Sequence, residues 1–172
     1  MALPREYVGQ NCSIARALEV VGERWTLLIV RDAFYGVRRF SDFCDHLDIP
    51  RAVLTERLNL LVEHGVLVRS AGPSGRDEYT LTEKGQGLWP TIWALACWGG
   101  EHYVAGPDRR VFSHSECGTV GDDGVCESCG ATPGPAELTV RLRKSATART
   151  DPISRALYAS HPLLTPITEP AS

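Results

Sequence analysis

Residues 47–65 are the stretch that most constrains how this 172-residue chain can fold. Asp48 is a residue type that caps helix N-termini, and Pro50 suits a first helical turn because its missing N–H has no intrahelical partner there. Gly65 stands where a helix commonly ends in a left-handed residue. The pattern therefore predicts one helix of about four turns between Asp48 and Gly65.

This predicted helix has an apolar face and a polar face. At about 100° per residue, Leu54, Leu58 and Leu61 fall within a narrow arc that suits burial. The far side is polar or small: Arg51, Ala52, Thr55, Glu56 and Asn59. An ordinary amphipathic surface helix has the same pattern, so the neighbouring segments must decide between the two interpretations.

The neighbouring segments favour a winged helix-turn-helix. Residues 40–47 predict a short helix that ends just before the first one begins, which gives two helices joined by a tight turn. Residues 66–70 and 78–81 are strand-like, and the Gly and Pro residues of 71–77 predict a turn between them. We therefore expect a mainly α fold with a small β hairpin, the wing, which carries Arg76 at its tip.

Composition limits the class of protein. With 43% hydrophobic and 23% charged residues, the chain is long enough for one globular core and a small accessory module. Its apolar runs are shorter than the ~20 residues that span a bilayer, and its N-terminus lacks an apolar signal-peptide core. We expect a cytoplasmic protein with no membrane partner. In that compartment the six cysteines favour metal binding or redox chemistry over disulfides.

Five ordered segments resemble the HxlR family of bacterial transcriptional regulators. They are residues 12–18 (CSIARAL), 22–32 (GERWTLLIVRD), 39–43 (RFSDF), 54–58 (LTERL) and 79–85 (YTLTEKG). The resemblance covers roughly residues 12–103 and implies a winged-helix homodimer that binds operator DNA and usually represses transcription. One position departs from it, because Ile49 stands where the family commonly has a Ser that caps the next helix. Asp48 is expected to serve instead.

Base recognition is assigned to the exposed face of the predicted recognition helix. Arg51 can bond bidentately to a guanine, and Thr55 and Asn59 lie on the same side of the helix. The formal net charge is −3, and residues 1–85 hold 11 Lys/Arg against 12 Asp/Glu. DNA binding must therefore depend on where the cations lie, and a symmetric dimer doubles the number of phosphates that a small cationic face neutralises.

Phosphate contacts are assigned to arginines outside that face. Arg76 at the wing tip, with Arg38 and Arg39 in the loop before the helix-turn-helix, would hold the backbone and set the register. Paired surface arginines are often only solvated, and that alternative stays open for Arg38 and Arg39. Arg57 lies on another flank of the recognition helix, so it is assigned either a phosphate or an internal partner.

Residues 87–98 predict a helix that is apolar on most sides, which is more than a small domain can bury alone. We expect it to pack against a second copy of the chain, and the family resemblance implies that this helix and the first one build the dimer. The residues assigned to the interface are Leu88, Trp89, Ile92, Trp93 and Leu95. The alternative is a helix buried inside its own domain.

Two cysteine-containing motifs follow this helix. His114-x2-Cys117 and Cys126-x2-Cys129 are separated by eight residues, and each is followed by Gly. The spacing lets both side chains of a pair converge on one ion, and the Gly permits the tight turn this requires. Four ligands leave no open position, which predicts structural zinc rather than catalytic zinc. The alternative is a ribbon-shaped fold without metal, whose cysteines are reduced or paired.

We expect the chain to have three parts. They are a winged helix-turn-helix and dimerisation domain at 1–105, a zinc-ribbon-like module at 106–142 that closes with a strand at 138–142, and a flexible tail at 143–172. Residues 101–137 carry seven acids against two arginines, so the module should not touch DNA directly. A module of about thirty residues has too little core to fold without a metal. The tail is Pro-rich and allows one short helix near 153–158.

Two helices are predicted before the helix-turn-helix, over residues 13–20 and 24–34, after a partly ordered arm at 1–11. Cys12 lies at the start of the first of these helices, at the positive end of its dipole. Some relatives in the HxlR family sense oxidants or electrophiles with a cysteine at this place, so Cys12 is a redox-sensing candidate. Filling a helix junction is the alternative for Cys12. A small aromatic or metabolic ligand, held between the Trp-rich helix and the winged domain, is the alternative signal.

Two other classes of protein compete with a regulator. An enzyme would use Cys12 or the metal, but no His/Asp partner for Cys12 and no Gly-rich nucleotide loop is visible, and the metal site has a full set of ligands. We therefore expect no enzymatic activity. A protein adaptor that docks a partner through the zinc ribbon is the alternative function, and it would show no sequence-selective DNA binding.

Overall fold

A computed structural model describes residues 7, 9–104, 110–143 and 149–167 of the chain. The helices are α1 (Ser13–Val21), α2 (Thr26–Phe34), α3 (Phe40–Leu47), α4 (Arg51–Glu63), α5 (Glu83–Gln86), α6 (Trp89–His102) and α7 (Pro152–Ala156). The strands are β1 (Leu67–Ala71), β2 (Asp77–Leu81), β3 (Arg110–His114), β4 (Gly118–Thr119), β5 (Leu138–Leu142) and β6 (His161–Pro162). Most of the arm expected at residues 1–11, and the expected domain boundary at residues 105 and 106, lie outside or at the edge of the described residues.

Helices α3 and α4 form the predicted helix-turn-helix, but the turn between them differs from the prediction. Asp48 ends α3 in the left-handed region with φ 53°, and its N–H donates to the Cys44 carbonyl at 2.9 Å. The prediction that Asp48 caps α4 is therefore wrong, because an Asp tolerates the left-handed conformation that this tight turn needs. Pro50 takes the N-cap position of α4, and Gly65, with φ 64°, follows its end as predicted.

The wing is the antiparallel hairpin of β1 and β2, in which Leu67 pairs with Leu81. Its strands lie within one residue of the predicted ones. The loop before α3 extends the hairpin, since the Tyr79 N–H donates to the Arg38 carbonyl at 2.9 Å and Arg39 forms a bridge with Glu78. The wing is thus fixed to the start of the helix-turn-helix.

Residues 110–142 contain three strands and the two Cys/His motifs, and we call this segment the Cys/His module. The sheet is antiparallel in the order β4-β3-β5-β6, and Phe112 on β3 faces Val140 on β5. The closing strand predicted at 138–142 is confirmed as β5. Its outer neighbour β6 comes from the C-terminal segment, which the sequence did not indicate.

Residues 149–167 are folded onto the rest of the protein, contrary to the expected flexible tail. Asp151 caps α7 by accepting a hydrogen bond from the Ser154 N–H at 2.9 Å. Leu157 is fully buried, and the Leu164 N–H donates to the Phe34 carbonyl at 2.7 Å. A few buried apolar residues spaced among prolines are enough to order this segment, because the winged domain supplies the surface they cover.

One hydrophobic core runs through the described residues. Phe34 of α2 contacts Trp89 of α6 with ring centroids 5.0 Å apart, and Trp89 contacts Phe112 of the Cys/His module at 5.6 Å. Leu157 and Leu163 of the C-terminal segment belong to the same cluster. None of the described helices is both long enough and apolar enough to cross a bilayer.

Candidate nucleic-acid interface and metal centre

Helix α4 carries its polar residues outward, as the sequence predicts. Leu54, Leu58 and Leu61 are each 0% exposed, whereas the polar residues assigned to base recognition lie on the surface. These are Arg51, Thr55 and Asn59. The leucines anchor the helix on the core, so the exposed face has a fixed orientation with its cation in the first turn.

The local contacts of Arg51 and Thr55 limit what each can offer a base. The Arg51 guanidinium carbon lies 5.1 Å from the centroid of the Phe40 ring, so the side chain rests on α3 while its N–H groups stay accessible. The Thr55 hydroxyl donates to the Arg51 carbonyl at 2.9 Å. The Thr55 methyl group is therefore the part best suited to contact DNA, as in apolar contacts with thymine.

The arginines assigned to phosphates differ in their exposure and in their contacts within the chain. Arg76 is exposed in the turn of the wing. The Arg39 side chain is 45% exposed, and its Nε lies 3.8 Å from a Glu78 carboxylate oxygen, which is at the long end for an ion pair. Arg38 is half-buried and donates to the Leu164 carbonyl at 3.2 Å, so its guanidinium is directed toward the C-terminal segment.

Arg57 has the internal partners that the sequence allowed as an alternative. Its side chain is 8% exposed, with Nη2 3.5 Å from a Glu23 carboxylate oxygen and 3.6 Å from one of Glu56. A guanidinium that is buried and lies beside two carboxylates of its own chain is poorly placed to contact a DNA phosphate. We therefore no longer assign Arg57 to DNA, and interpret it as a link between α4 and the turn before α2.

A buried ion-pair network beneath the helix-turn-helix was missed by sequence reasoning. Asp32 is 0% exposed, and its carboxylate accepts from Arg31 at 2.7 Å and from the His46 Nδ1 at 2.6 Å. Burial alone would raise the pKa of Asp32, but the Arg31 charge and the His46 hydrogen bond outweigh it and lower that pKa. The signal available in the sequence was an acidic residue on the apolar face of α2.

The four predicted metal ligands lie together. Their ligand atoms, from His114, Cys117, Cys126 and Cys129, are all within 4.8 Å of one another. The Cys126 and Cys117 sulfurs are 3.8 Å apart, and the Cys129 sulfur is 3.4 Å from His114 Nδ1. Zn–S bonds of about 2.3 Å in a tetrahedron place two sulfurs about 3.8 Å apart, so the donor set has the chemistry and the spacing of a closed zinc site.

Local backbone geometry explains why each motif needs its glycine. Gly130 has φ 72°, in the left-handed region, and its N–H donates to the Cys126 carbonyl at 2.9 Å. A Cβ at Gly118 would meet the Ser128 hydroxyl at 2.2 Å, because the two motifs pack closely there. The expected glycine turn is thus present after Cys129, whereas Gly118 is required for the close approach of the two motifs.

The hydrogen bonds of this cluster give two of its thiols different pKa values. Backbone N–H groups of Cys129 and Ser128 lower the pKa of Cys126 to about 6, and hydrogen bonds with Cys129 and Cys126 raise the pKa of Cys117 to about 11. Cys126 is therefore the first of these two thiols to become a thiolate. A thiolate held by backbone donors is the form in which cysteine binds metal.

The family of this chain can be identified from its sequence and its fold. The sequence matches the family described as HxlR-like helix-turn-helix over residues 20–106, which is half of the chain. The chain belongs to the HxlR family. The matched segment contains α2 to α6, and thus the helix-turn-helix and the wing described above.

Relatives of this HxlR protein are transcriptional regulators. An uncharacterized HTH-type transcriptional regulator of Mycobacterium tuberculosis (strain ATCC 25618 / H37Rv) is 45% identical over 135 residues, covering 75% of this chain and 81% of the relative. A regulator of Bacillus subtilis named YvaP is 36% identical over 89 residues, covering 50% and 82%. The mycobacterial match is longer than the HxlR segment itself and so extends beyond it.

Solved structures share the fold. A crystal structure of PA1607, described as a transcription factor, has 44% identity and a TM-score of 0.54, covering 56% of this chain and 69% of that one. The redox regulator HypR in its oxidized form has 27% identity and a TM-score of 0.51, covering 55% and 100%. The comparisons therefore identify a DNA-binding transcription regulator, not an enzyme.

Helix α6 of this HxlR protein is buried in the core on one side and exposed to solvent on the other. Trp89 and Ile92 are each 7% exposed because Phe34 and the Cys/His module cover that side of α6, so the predicted interface is corrected at these two residues. Leu88 and Trp93 are half-buried against the same core. Leu95 remains 48% exposed, as the interface prediction requires. Trp98, which was not assigned to the interface, is 54% exposed.

Cys12 and helix α1 are also exposed. Cys12 is the N-cap residue of α1, has an exposed side chain and makes no side-chain capping hydrogen bond. Ile14 and Leu18 on α1 are 70% and 43% exposed, which is unusual for large apolar side chains on an amphipathic helix. Both helices that the HxlR resemblance assigns to the dimer thus have apolar residues left uncovered within the chain.

Proposed function

We propose that this protein is a homodimeric repressor that binds operator DNA through α4 and the wing. The observation that carries the proposal is the exposed set Arg51, Thr55 and Asn59 on a helix held by three fully buried leucines, within an HxlR-family fold. Exposed apolar residues of α1 and α6 support the dimer, because pairing two such surfaces removes them from water. Arg76 and Arg39 supply phosphate contacts.

The second part of the proposal is a structural zinc ion in the Cys/His module. The spacing of the four ligand atoms and the buried Cys126 support it. When bound, the ion cross-links the two motifs through His114, Cys117, Cys126 and Cys129. The full set of protein ligands leaves no position for a substrate, so the role of the metal is to stabilise the fold.

The experiment that tests DNA binding is a selection of genome fragments with the purified, zinc-loaded protein at physiological salt, followed by footprinting. Two copies of α4 related by a two-fold axis should select an inverted repeat whose half-sites lie about one helical turn apart. If folded, zinc-loaded protein enriches no sequence, the repressor proposal fails and the adaptor alternative gains support.

The contacts of α4 and the wing predict different effects of two arginine substitutions. Arg51→Ala is expected to weaken binding to the selected operator by about 1–3 kcal/mol and to relax base preference at one position of each half-site. Arg76→Ala is expected to weaken binding to all sequences alike and to flatten the salt dependence. Titrations of operator and mutated operator at several salt concentrations measure both effects. Equal operator affinities for Arg51→Ala and the unaltered protein would contradict the assignment of Arg51.

We further propose that Cys12 is a site of electrophile sensing. Methyl-1,4-benzoquinone reacts by addition: the Cys12 sulfur forms a bond to a ring carbon, and that carbon loses its hydrogen. The thiol proton and this ring hydrogen end on the two quinone oxygens, which gives a hydroquinone thioether without any further oxidant. The treated protein is expected to lose operator affinity by about tenfold or more, whereas Cys12→Ser keeps its affinity. Mass spectrometry of the intact chain follows the adduct, and zinc content controls for reaction at the module. An equal loss of affinity in both proteins would exclude Cys12 as the sensor.

A further inference from the structure

Helix α6 of the winged domain and the Cys/His module meet at a cleft that has no role in the proposed function. A cavity of about 510 Å³ lies between α6 and the Cys/His module, with Trp89, Pro90 and Trp93 on one side and Pro133, Pro135 and Leu138 on the other. Binding sites for small molecules typically measure about 300–1,000 Å³, so this cleft, which we call the Trp cleft, has the size of such a site.

The walls of the Trp cleft are apolar, aromatic and held in place. The Trp93 indole N–H donates to the Asp122 carbonyl at 3.1 Å, and its ring packs on Phe112 with centroids 5.0 Å apart. Prolines on both sides have little conformational freedom to lose when a ligand binds. Gly134 presents no side chain to the cleft, and a Cβ there would meet nothing closer than 3.6 Å. The cleft is therefore preformed, which favours a flat, rigid ligand.

The charges around the Trp cleft disfavour anionic ligands. Asp123 lines the cleft, and the Glu137 carboxylate lies at its edge, where it accepts a hydrogen bond from the Gly134 N–H at 2.9 Å. No cationic side chain lines the cleft among the described residues. Indole faces attract cations, and carboxylates repel anionic ligands. The chemistry fits a neutral or singly cationic aromatic molecule.

The position of the Trp cleft connects it to the proposed regulation. Trp93 belongs to the helix assigned to the dimer, whereas Pro133 and Pro135 belong to the Cys/His module, so one ligand would contact both. A ligand shifts a conformational equilibrium when it binds one arrangement of two such elements better than another. We propose that the Trp cleft binds a planar aromatic molecule, neutral or singly cationic, as a signal for this regulator. The regulatory part rests on the proposed repressor function, whereas binding itself does not.

Binding is tested without DNA, using proflavine, a planar tricyclic cation, as the probe. We expect quenching of tryptophan fluorescence and a calorimetric Kd below about 100 µM. Anthracene-9-carboxylate, a planar tricycle of opposite charge, should bind about tenfold more weakly or worse. Gly134→Leu, which adds bulk at a residue that lines the cleft, should raise the proflavine Kd at least about tenfold. Ala136→Leu, at an exposed neighbour that does not line the cleft, should leave it within about twofold.

The outcomes are decisive because folding is checked separately. Zinc content and circular dichroism are measured on each variant. If Gly134→Leu does not fold, Thr132→Tyr adds bulk at an exposed residue that also lines the cleft. A proflavine Kd above about 1 mM, or an unchanged Kd in the filled variant, overturns the Trp cleft as a ligand site. Either result leaves operator selection unaffected, because that experiment contains no ligand.

Discussion

Replacing Cys126 by Ser is expected to abolish zinc binding and to unfold the Cys/His module. Cys126 is 1% exposed, and backbone N–H groups lower its pKa to about 6, so its thiolate forms more readily than that of Cys117. A serine hydroxyl does not replace a thiolate as a zinc ligand. Structural zinc contributes roughly 10–16 kcal/mol to folding in zinc-finger peptides at neutral pH, which makes this the largest effect that we predict.

The measurement is zinc content per chain by elemental analysis, together with thermal unfolding followed by circular dichroism. The unaltered chain should carry about one zinc ion, and Cys126→Ser less than about a tenth of that. Cys12→Ser is the matched control, because it makes the same chemical change at an exposed thiol outside the cluster. Full zinc occupancy in Cys126→Ser would show that the four residues do not form the predicted site.

The second large effect is expected from Asp32→Asn. The substitution keeps the shape of the side chain but removes the charge that balances Arg31 and contacts His46 in a buried site. Removing one partner of a buried ion pair typically costs about 3–5 kcal/mol, because the other partner stays buried without compensation. We expect the free energy of unfolding at pH 7, measured by urea titration, to fall by that amount. Asp45→Asn, an exposed carboxylate on α3, should change it by less than about 0.5 kcal/mol.

The stabilising contribution of Asp32 is expected to decrease at low pH. The pKa of Asp32 is lower in the folded protein than its ordinary value of 3.8. Its contribution to stability is therefore fully present above 3.8 and is lost as the pH falls toward the folded pKa. The difference between the unaltered chain and Asp32→Asn should shrink as the pH drops below about 4. A difference that stays constant from pH 7 to pH 3 would contradict the ionised, paired state of Asp32.

Periodicity and local turn chemistry made the helix-turn-helix and the wing predictable. Leucines at helical spacing placed the buried face of α4, and Gly and Pro residues located the wing turn. Asp48 was assigned wrongly because the residue type that caps a helix N-terminus also tolerates the left-handed end of the preceding helix. Local sequence does not distinguish these two roles when the turn between helices is this short.

Long-range packing was the part that sequence patterns could not supply. The metal ligands were predictable because zinc imposes a fixed spacing on nearby residues. No periodic pattern in the sequence indicates the contact of Asp32 with His46 or that of Leu164 with Phe34. In both contacts the two residues are well separated along the chain. For α6, the apolar surface left open both a second copy of the chain and burial in its own domain, and Phe112 covers Trp89 within the chain.

The shared aromatic core extends beyond the segment that matches the HxlR family. The whole of the HypR chain corresponds to 55% of this one, so in that regulator the winged-helix fold needs no added module. Here Phe34 and Trp89 lie against Phe112, with Leu157 in the same core, and a chain cut at residue 106 would leave that face open to water. The boundary of the family match is therefore not a boundary of the hydrophobic core. Phe112, Leu157 and Leu163 are part of the same interior as Phe34 and Trp89.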